Sequence, residues 1–318
     1  MKEEPMAEEF DVIIVGGGPA ALSAAIYAGR AEMKTLVLER MMLGGQVSLT
    51  WDVANYPGFP DGIDGPALIE RMQKQAAKFD AEFRTEEVTI VNLDGDAKVV
   101  KTSKNEYRCP VLILAMGADP KQLGVPGEKE LRGKGVSYCG TCDGPFFRNK
   151  KVVVVGGGDA ALKEGIFLTR FANEIVLVHR RSEFRAEKIY QTEVRENPKI
   201  RLMLNCAVER INGEKKVESA DIRDLKKDEV HAEPCDGVFI FIGHAPNTKF
   251  LCNLWPDQCG GAIGTDMDMM TNIPGVFAIG DVRKNSYRQI ATAVGEGATA
   301  AIAAEHYISE IEAKSEEP

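Results

Sequence analysis

The feature that most constrains this chain is an internal repeat. Residues 12–40 read VIIVGGGPAALSAAIYAGRAEMKTLVLER, and residues 152–180 read VVVVGGGDAALKEGIFLTRFANEIVLVHR. The two segments align without a gap at an offset of 140 residues. Each copy consists of an apolar strand, a glycine turn, an amphipathic helix and a second apolar strand, which is the order of a βαβ unit. The repeat therefore predicts an α/β fold that contains this unit twice.

The two glycine turns are typical of loops that bind dinucleotides. In each copy a G-x-G-x-x-A pattern follows a short strand and opens a helix, which is the context that makes this motif credible. The first glycine permits a tight turn, the second lets a pyrophosphate approach the backbone, and the helix N-terminus binds the phosphates. The alternative, a βαβ unit without a ligand, is disfavoured by the presence of two copies. We predict two Rossmann-like dinucleotide-binding domains, with contacts at Gly16, Gly17, Gly18, Pro19 and Ala20 in the first and Gly156, Gly158, Asp159 and Ala160 in the second.

The repeats differ at the end of the second strand. The first copy ends in Glu39, and a carboxylate at this point suits a free ribose 2′-hydroxyl. The second copy has His179 followed by Arg180 and Arg181, with Arg185 close behind. Guanidinium groups match phosphate oxygens, so these arginines suit a 2′-phosphate, although a solvated basic face is the alternative. The sequence therefore predicts FAD or NAD in the first domain and NADP in the second.

A late strand is expected to return to the first domain. Residues 276–281 read VFAIGD, and a helix rich in Ala and Gly follows over residues 288–304. This element has no copy near the second repeat, and a carboxylate beside a helix start can contact a polyol or a pyrophosphate. Segments 118–126 and 244–247 contain proline and are typical of crossings between domains. We predict a first domain of residues 1–117 and 248–318, with residues 118–247 inserted into it as the second.

Composition limits the possible partners. The 318 residues carry a net charge of −9, which argues against nucleic acid or anionic lipid as the main partner. The start, MKEEPMAEEF, resembles neither a signal peptide nor a transit peptide, and no apolar run approaches the roughly 18 residues of a membrane span. The seven cysteines, an odd and scattered set, do not suggest a disulfide scaffold. A cytoplasmic protein is expected.

The stretch VSYCGTCDGPFF contains Cys139 and Cys142 with two residues between them, and Asp143 follows directly. Zinc would need two further ligands, and Cys252 and Cys259 have the wrong spacing, so no metal is predicted. A C-x-x-C disulfide closes too small a loop to add much stability, whereas such a pair is readily reduced and re-formed. We therefore favour a redox pair, with Asp143 either transferring protons or capping a helix. The other five cysteines are expected to be ordinary small apolar residues.

Together with these features, several motifs make the chain similar to low-molecular-weight thioredoxin reductase, the bacterial and archaeal type of pyridine nucleotide-disulfide oxidoreductase. A flavin bound in the first domain would accept two electrons from a nicotinamide and could pass them to the sulfur atoms of the dithiol. The matching motifs, which are highly specific together, are GGGPAAL at 16–22, GGQ at 44–46, NYPG at 55–58, CGTCDG at 139–144, GGGDAA at 156–161, HRRSEFRA at 179–186, GHAPNT at 243–248, GD at 280–281 and YRQ at 287–289.

The resemblance implies FAD in the first domain, NADPH in the second, a homodimer, and thioredoxin or a similar small dithiol protein as the partner. It implies that Cys142 faces the flavin, that Cys139 attacks the thioredoxin disulfide and that Asp143 is the acid–base. The implied flavin-side residues are Glu39, Arg40, Gly45, Gln46, Asn55, Val88, Gly280, Asp281, Arg288 and Gln289. The implied NADPH-side residues are Gly156, Gly158, Asp159, Ala160, His179, Arg180, Arg181 and Arg185.

Five positions depart from the family's usual residues. Gly140 replaces Ala, Ala160 replaces Ser or Thr, Met116 replaces Thr or Ser, Ala54 replaces Glu and Ile290 replaces Ala. None of these changes removes a redox atom, but Ala160 lacks a hydroxyl that could contact a phosphate of NADPH. The competing functions are the same enzyme with NADH, ferredoxin or a deazaflavin as donor, a flavin dithiol oxidase, and an FAD-binding redox sensor. A ferredoxin–NADP reductase of related fold would lack the C-x-x-C pair.

Overall fold

The computed structural model describes residues 7–50, 53–95, 97–252, 254 and 260–316. The chain divides into two compact units, one of residues 1–119 and 245–318 and the other of residues 120–244. The predicted α/β architecture, with one domain inserted into the other, is confirmed. The two divisions lie within the segments that were predicted to cross between domains.

The helices are α1 (Pro19–Arg30), α2 (Gly65–Ala77), α3 (Gly140–Asp143), α4 (Asp159–Leu168), α5 (Lys188–Glu196) and α6 (Ile290–Glu316). The strands are β1 (Glu8–Glu9), β2 (Val12–Val15), β3 (Thr35–Glu39), β4 (Glu82–Thr85), β5 (Val88–Asn92), β6 (Lys98–Thr102), β7 (Glu106–Cys109), β8 (Val111–Leu114), β9 (Ala118–Pro120), β10 (Val136–Ser137), β11 (Lys151–Val155), β12 (Glu174–His179), β13 (Ile200–Leu204), β14 (Cys206–Asn212), β15 (Ser219–Asp224), β16 (Glu229–Pro234), β17 (Gly237–Ile240), β18 (His244–Pro246) and β19 (Val276–Ala278).

A parallel sheet with strand order β19-β8-β2-β3-β4 forms the centre of the first unit. The central strands β2 and β8 read VIIV and VLIL and are buried throughout, as expected for a parallel sheet covered on both faces. Strand β19 pairs in parallel with β8, with Val276 opposite Leu112. The prediction that this late segment returns to the first domain is therefore confirmed.

Helices α1 and α6 contribute to one apolar cluster on this sheet, and α2 belongs to a second cluster. Helix α6 runs to Glu316, beyond the end predicted at residue 304, because residues 305–316 (EHYISEIEAKSE) contain no Gly or Pro and several Glu, which favours helix. A four-stranded sheet of order β1-β7-β6-β5 completes the first unit and buries Tyr107 fully. No helix within the described ranges has both the length and the apolar character needed to cross a membrane.

The second unit repeats this architecture. Its parallel sheet has the order β10-β17-β11-β12-β13, and the pairing of β11 with β12 corresponds to that of β2 with β3. A three-stranded antiparallel sheet, β14-β15-β16, accompanies it. Strands β9 and β18, at the two crossings of the chain, form a two-stranded sheet. In each unit the glycine turn follows a central strand, at the sheet edge where α/β folds bind ligands.

Candidate nucleotide and dithiol sites

The first glycine turn connects β2 to α1. Gly16 has a φ of 105°, a conformation that non-glycine residues rarely adopt. Its N–H donates to the Leu38 carbonyl oxygen at 2.8 Å, which ties the turn to β3. A Cβ atom at Gly16 would overlap the Ala115 carbonyl oxygen. Both the backbone conformation and the close neighbour therefore require glycine at this position.

The N-terminus of α1 offers space and N–H groups to an anion. No side chain caps this helix, and Pro19 occupies its first turn. Gly18 precedes the helix, and a Cβ atom there would have no neighbouring atom within 4 Å. Because the first N–H groups of a helix have no intrahelical acceptor, the open space in front of α1 suits a pyrophosphate.

Glu39 lies at the end of β3, beside the same turn. One carboxylate oxygen accepts the N–H of Gly17 at 2.8 Å, and the other accepts the N–H of Met41 at 3.2 Å. These bonds hold the carboxylate at the glycine turn, where a ribose hydroxyl would follow the pyrophosphate. Of the other predicted contacts, Arg40 is exposed next to Glu39, whereas Val88 is buried in β5.

Two hydrogen bonds connect predicted flavin-side residues with segments that are distant in sequence. Gly45 begins a short 3₁₀ helix, and the Gln46 side chain in that helix donates to Asp119 Oδ1 at 2.6 Å. Asn55 donates from its side chain to Gln289 Oε1 at 3.0 Å, although 234 residues separate the two in sequence. The structure therefore brings Asn55 and Gln289 together and adds Asp119, a residue that the sequence analysis did not single out.

Asp281 follows β19 in a short 3₁₀ helix. Ser286 Oγ donates to its Oδ1 at 3.3 Å. Burial raises the pKa of the Asp281 carboxyl, and the nearby Arg288 opposes this rise. Arg288 has a φ of 55°, which is strained for a residue with a side chain. Gly280 donates its N–H to Glu296 at 2.6 Å, so Ser286 and Glu296 order this corner; no sequence pattern marked either residue.

The second glycine turn, between β11 and α4, has the same features. Gly156 has a φ of 154°, and a Cβ atom at Gly158 would again have no neighbour within 4 Å. No side chain caps α4. Asp159 Oδ1 accepts the N–H of Glu187 at 2.8 Å, which fixes the start of α5 next to the turn. Ala160 is exposed in the first turn of α4.

His179 ends β12 and is buried. Its ring stacks on Phe184 with centroids 5.6 Å apart, and a Cβ atom at Gly157 would overlap the ring. Burial lowers the pKa of the His179 imidazole, and nearby arginines add to this. The imidazole is therefore neutral near pH 7 and acts here as a packing residue of the glycine turn.

The positive charge after β12 is carried by Arg180, Arg181 and Arg185, which are all exposed. The Arg185 N–H donates to the Gly157 carbonyl oxygen at 2.8 Å, so the chain folds back to the glycine turn. Among the residues that the structure describes, none of these three arginines forms an ion pair. Their charges are therefore available to an anionic ligand at this turn.

Cys139 and Cys142 form a disulfide, with Cα atoms 5.3 Å apart. Cys139 is the N-cap of α3, and its Sγ accepts the Cys142 N–H at 3.1 Å. Thr141, between the two cysteines, is exposed, and both cysteines are half-buried. The pair thus lies at the start of α3, on either side of the exposed Thr141.

Ser137 connects Asp143 to the first cysteine. Its hydroxyl donates to Asp143 Oδ2 at 2.5 Å and accepts the Cys139 N–H at 3.1 Å. Cys139 occupies the N-cap of α3, whereas Asp143 occupies the N-cap position of the 3₁₀ helix Gly144–Phe147 without a side-chain cap hydrogen bond. Ser137 itself is buried. The sequence analysis missed it, and its only signal was a hydroxyl two residues before the pair.

The remaining cysteines differ among themselves. Cys109, Cys206 and Cys235 are free and buried, as expected for small apolar residues. Burial raises the pKa of Cys109 and Cys235 to about 12, which keeps both as thiols. Cys252 is disulfide-bonded, so the expectation was wrong for this residue, and Cys259 lies outside the described residues. Within the described ranges no group of three or more His, Cys, Asp or Glu residues could hold a metal ion.

Comparison with known proteins agrees with this arrangement. The model of the pyridine nucleotide-disulphide oxidoreductase family matches residues 10–297. Thioredoxin reductase of Bacillus subtilis is 46% identical over 96% of this chain and 98% of its own length. The crystal structure of thioredoxin reductase from Streptococcus pyogenes is 42% identical, with a TM-score of 0.90 over 95% of this chain and 99% of that chain. Thioredoxin reductase from Giardia duodenalis is 34% identical, with a TM-score of 0.88 over 95% of this chain and 99% of that chain. The chain belongs to the pyridine nucleotide-disulphide oxidoreductase family.

Proposed function

We propose that the chain is a thioredoxin reductase, which passes electrons from NADPH through FAD and the Cys139–Cys142 pair to the disulfide of thioredoxin or a similar small dithiol protein. The observation that carries the proposal is a disulfide at the end of a short helix, in the unit that also contains the second glycine turn. The relatives named thioredoxin reductase share 45–46% of their residues with nearly the whole chain, which supports the same activity.

FAD is assigned to the first unit. The open space at Gly18 would accept its pyrophosphate, and Glu39 would accept a hydrogen bond from its adenosine ribose. The buried carboxyl of Asp281 would lie toward the ribityl chain, and the bonded Asn55 and Gln289 would lie on the flavin side. When bound, FAD supplies a carrier that accepts two electrons from a nicotinamide and releases them to sulfur.

NADPH is assigned to the second unit. The N-terminus of α4 behind Gly158 would bind the pyrophosphate, and Arg180, Arg181 and Arg185 would bind the 2′-phosphate. The methyl group of Ala160 offers no hydrogen bond to a phosphate, so binding relies more on the arginines and the helix N–H groups. The arginines favour NADPH over NADH as the donor.

Delivery of the electrons to the partner follows from thiol–disulfide exchange. The Cys139 thiolate attacks one sulfur of the partner's disulfide, and the other partner sulfur leaves as a thiolate. Cys142 then attacks Cys139 Sγ, the bond between Cys139 and the partner breaks, and the second partner sulfur leaves with its electron pair. The Asp143 carboxyl, oriented by Ser137, would supply or accept protons at these sulfurs. The chain's disulfide is restored and the partner gains two electrons and two protons.

The proposal includes a homodimer, as the family resemblance implies, and the cytoplasm as compartment, where thioredoxin systems keep thiols reduced. The test is anaerobic titration of the purified protein with NADPH and then with NADH, with flavin absorbance as the readout, followed by addition of oxidised thioredoxin. We expect yellow protein with one FAD per chain, bleaching by NADPH, and colour recovery with thioredoxin. Colourless protein that cannot be reconstituted with FAD would refute the assignment.

A further inference from the structure

Glu296 of α6 contacts both ends of the 3₁₀ helix Gly280–Val282, which follows β19 and contains Asp281. Its Oε2 accepts the Gly280 N–H at 2.6 Å, at the start of that helix. Its Oε1 forms an ion pair with Arg283 Nη1 at 2.5 Å, and Arg283 is the residue directly after the helix. One carboxylate therefore holds the first residue of the 3₁₀ helix and the residue that follows its last.

The ion pair is largely shielded from water. The side chains of Arg283 and Glu296 are only 16% and 14% exposed, so their attraction is screened less than that of a surface pair. Arg283 is also held from a second side, because its Nε donates to Thr265 Oγ1 at 2.9 Å. With these anchors, the pair fixes the backbone that lies between its two contacts.

The 3₁₀ helix lies against α1 at the first glycine turn. A Cβ atom at Gly280 would lie 3.1 Å from the Ala20 Cβ atom, in the first turn of α1. A Cβ atom at Gly297, next to Glu296, would overlap the Ala20 carbonyl oxygen, so α6 approaches α1 at the same point. Because α1 begins where the pyrophosphate is expected to bind, the contacts of Glu296 determine where Asp281 lies relative to that site.

Asp281 is only weakly fixed by its own side-chain contacts. Its Oδ1 accepts the Ser286 hydroxyl at 3.3 Å, which is long for a hydrogen bond between two oxygens. Burial raises the pKa of its carboxyl, the nearby Arg288 lowers it, and the charge of Glu296 adds to the rise. The orientation of the Asp281 carboxyl therefore depends on the backbone that Glu296 and Arg283 hold.

We propose that Glu296, paired with Arg283, is a positioning residue that orients Asp281 toward the FAD of the first unit. The inference rests on the proposed function, because that function assigns FAD to this unit. The pair holds the 3₁₀ helix before the cofactor binds, so FAD meets a carboxyl that is already ordered and less conformational freedom is lost on binding. Loss of the pair should therefore weaken FAD binding through Asp281.

The measurement is FAD release on dilution of the holoprotein, followed by the fluorescence of free FAD, which gives a dissociation constant without any turnover. Glu296→Gln removes the charge that pairs with Arg283. We expect FAD to bind about tenfold more weakly, near the lower end of the effect of one hydrogen bond to a charged group. Glu305→Gln, at an exposed carboxyl further along α6, is the matched control and should leave the constant unchanged.

A double-mutant cycle with Asp281→Ala separates positioning from a general effect on stability. Asp281→Ala should itself weaken FAD binding, because it removes the group that Glu296 orients. Adding Glu296→Gln to it should then cause no more than about a twofold further loss, since two residues that act as one unit are not additive. A purely structural role would lower the melting temperature and weaken FAD binding equally with and without the Asp281 side chain.

If Glu296→Gln does not fold, Glu296→Gln combined with Arg283→Gln takes its place, because this variant leaves no unpaired charge in the interior and should lose the same FAD affinity. Unchanged FAD affinity in the folded variant overturns the proposal, and so does an undiminished further loss on the Asp281→Ala background. Wild-type protein that binds no FAD would instead refute the proposed function, because that result does not depend on Glu296.

Discussion

Replacing both Arg180 and Arg181 by glutamine should weaken NADPH binding and leave NADH binding nearly unchanged. The two side chains are exposed and form no ion pair within the described residues, so no other protein charge compensates for their loss. Hydrogen bonds to charged groups contribute ~1.5–3 kcal/mol each, and exposure favours the lower end of that range. Two such bonds give about 3 kcal/mol, which corresponds to a roughly 100-fold weaker NADPH affinity.

The assay is anaerobic flavin reduction in a stopped-flow instrument, with NADPH and NADH each varied over a wide concentration range. Lys226→Gln combined with Lys227→Gln is the matched control, because it removes the same charge from the turn between β15 and β16. This control should leave the NADPH dependence unchanged. The interpretation of the arginines is wrong if the wild type uses NADPH and NADH equally well, or if the arginine variant weakens both donors to the same extent.

The other predictions concern the glycine turns and pH. Gly18→Ala should leave the melting temperature unchanged, because the added methyl group meets no protein atom. The methyl group should collide with the bound FAD at a cost of ~1–3 kcal/mol, which lowers FAD affinity about 5- to 100-fold. The release of FAD measures this affinity. Gly158→Ala should do the same to NADPH affinity and spare FAD; loss of folding in either variant would contradict the open space seen at these positions. Because the pKa of folded His179 is lowered, the unfolded chain binds more protons below about pH 6.5, and stability should fall as the pH decreases through that range. Thermal unfolding of His179→Gln should depend less on pH there, and an identical dependence would count against this.

Much of the fold could be predicted because it depends on local patterns. The repeat of strand, glycine turn, helix and strand marks both nucleotide sites, since each element has its own periodicity and the turn needs particular residues. The return of β19 to the first sheet was predictable because its apolar run and terminal Asp281 had no counterpart in the second repeat. The far end of α6 was missed because the Ala-rich pattern ends at Ala304, whereas the Glu-containing residues that follow have no Gly or Pro and still favour helix.

The contacts that order the sites could not be predicted from local patterns. Ser137 holds Asp143, and Asp119 accepts from Gln46 across 73 residues of sequence. Such bonds form when segments that are distant in sequence meet in the folded unit, and no local pattern in a single sequence indicates them. Glu296 looked like an ordinary polar residue of an Ala-rich helix until the structure placed it against Gly280 and Arg283.

The most direct test of the proposed electron path uses Cys139→Ser and Cys142→Ser. Both variants should still be bleached by NADPH, because hydride transfer precedes the dithiol, and both should lose NADPH-driven reduction of thioredoxin. Cys142→Ser should also trap thioredoxin as a mixed disulfide on Cys139, visible on a non-reducing gel, because no second thiol releases the partner. Cys206→Ser, at a free cysteine outside the pair, should keep its turnover. Wild-type thioredoxin turnover in either Cys139→Ser or Cys142→Ser would contradict the account, since the pair would then not carry the electrons.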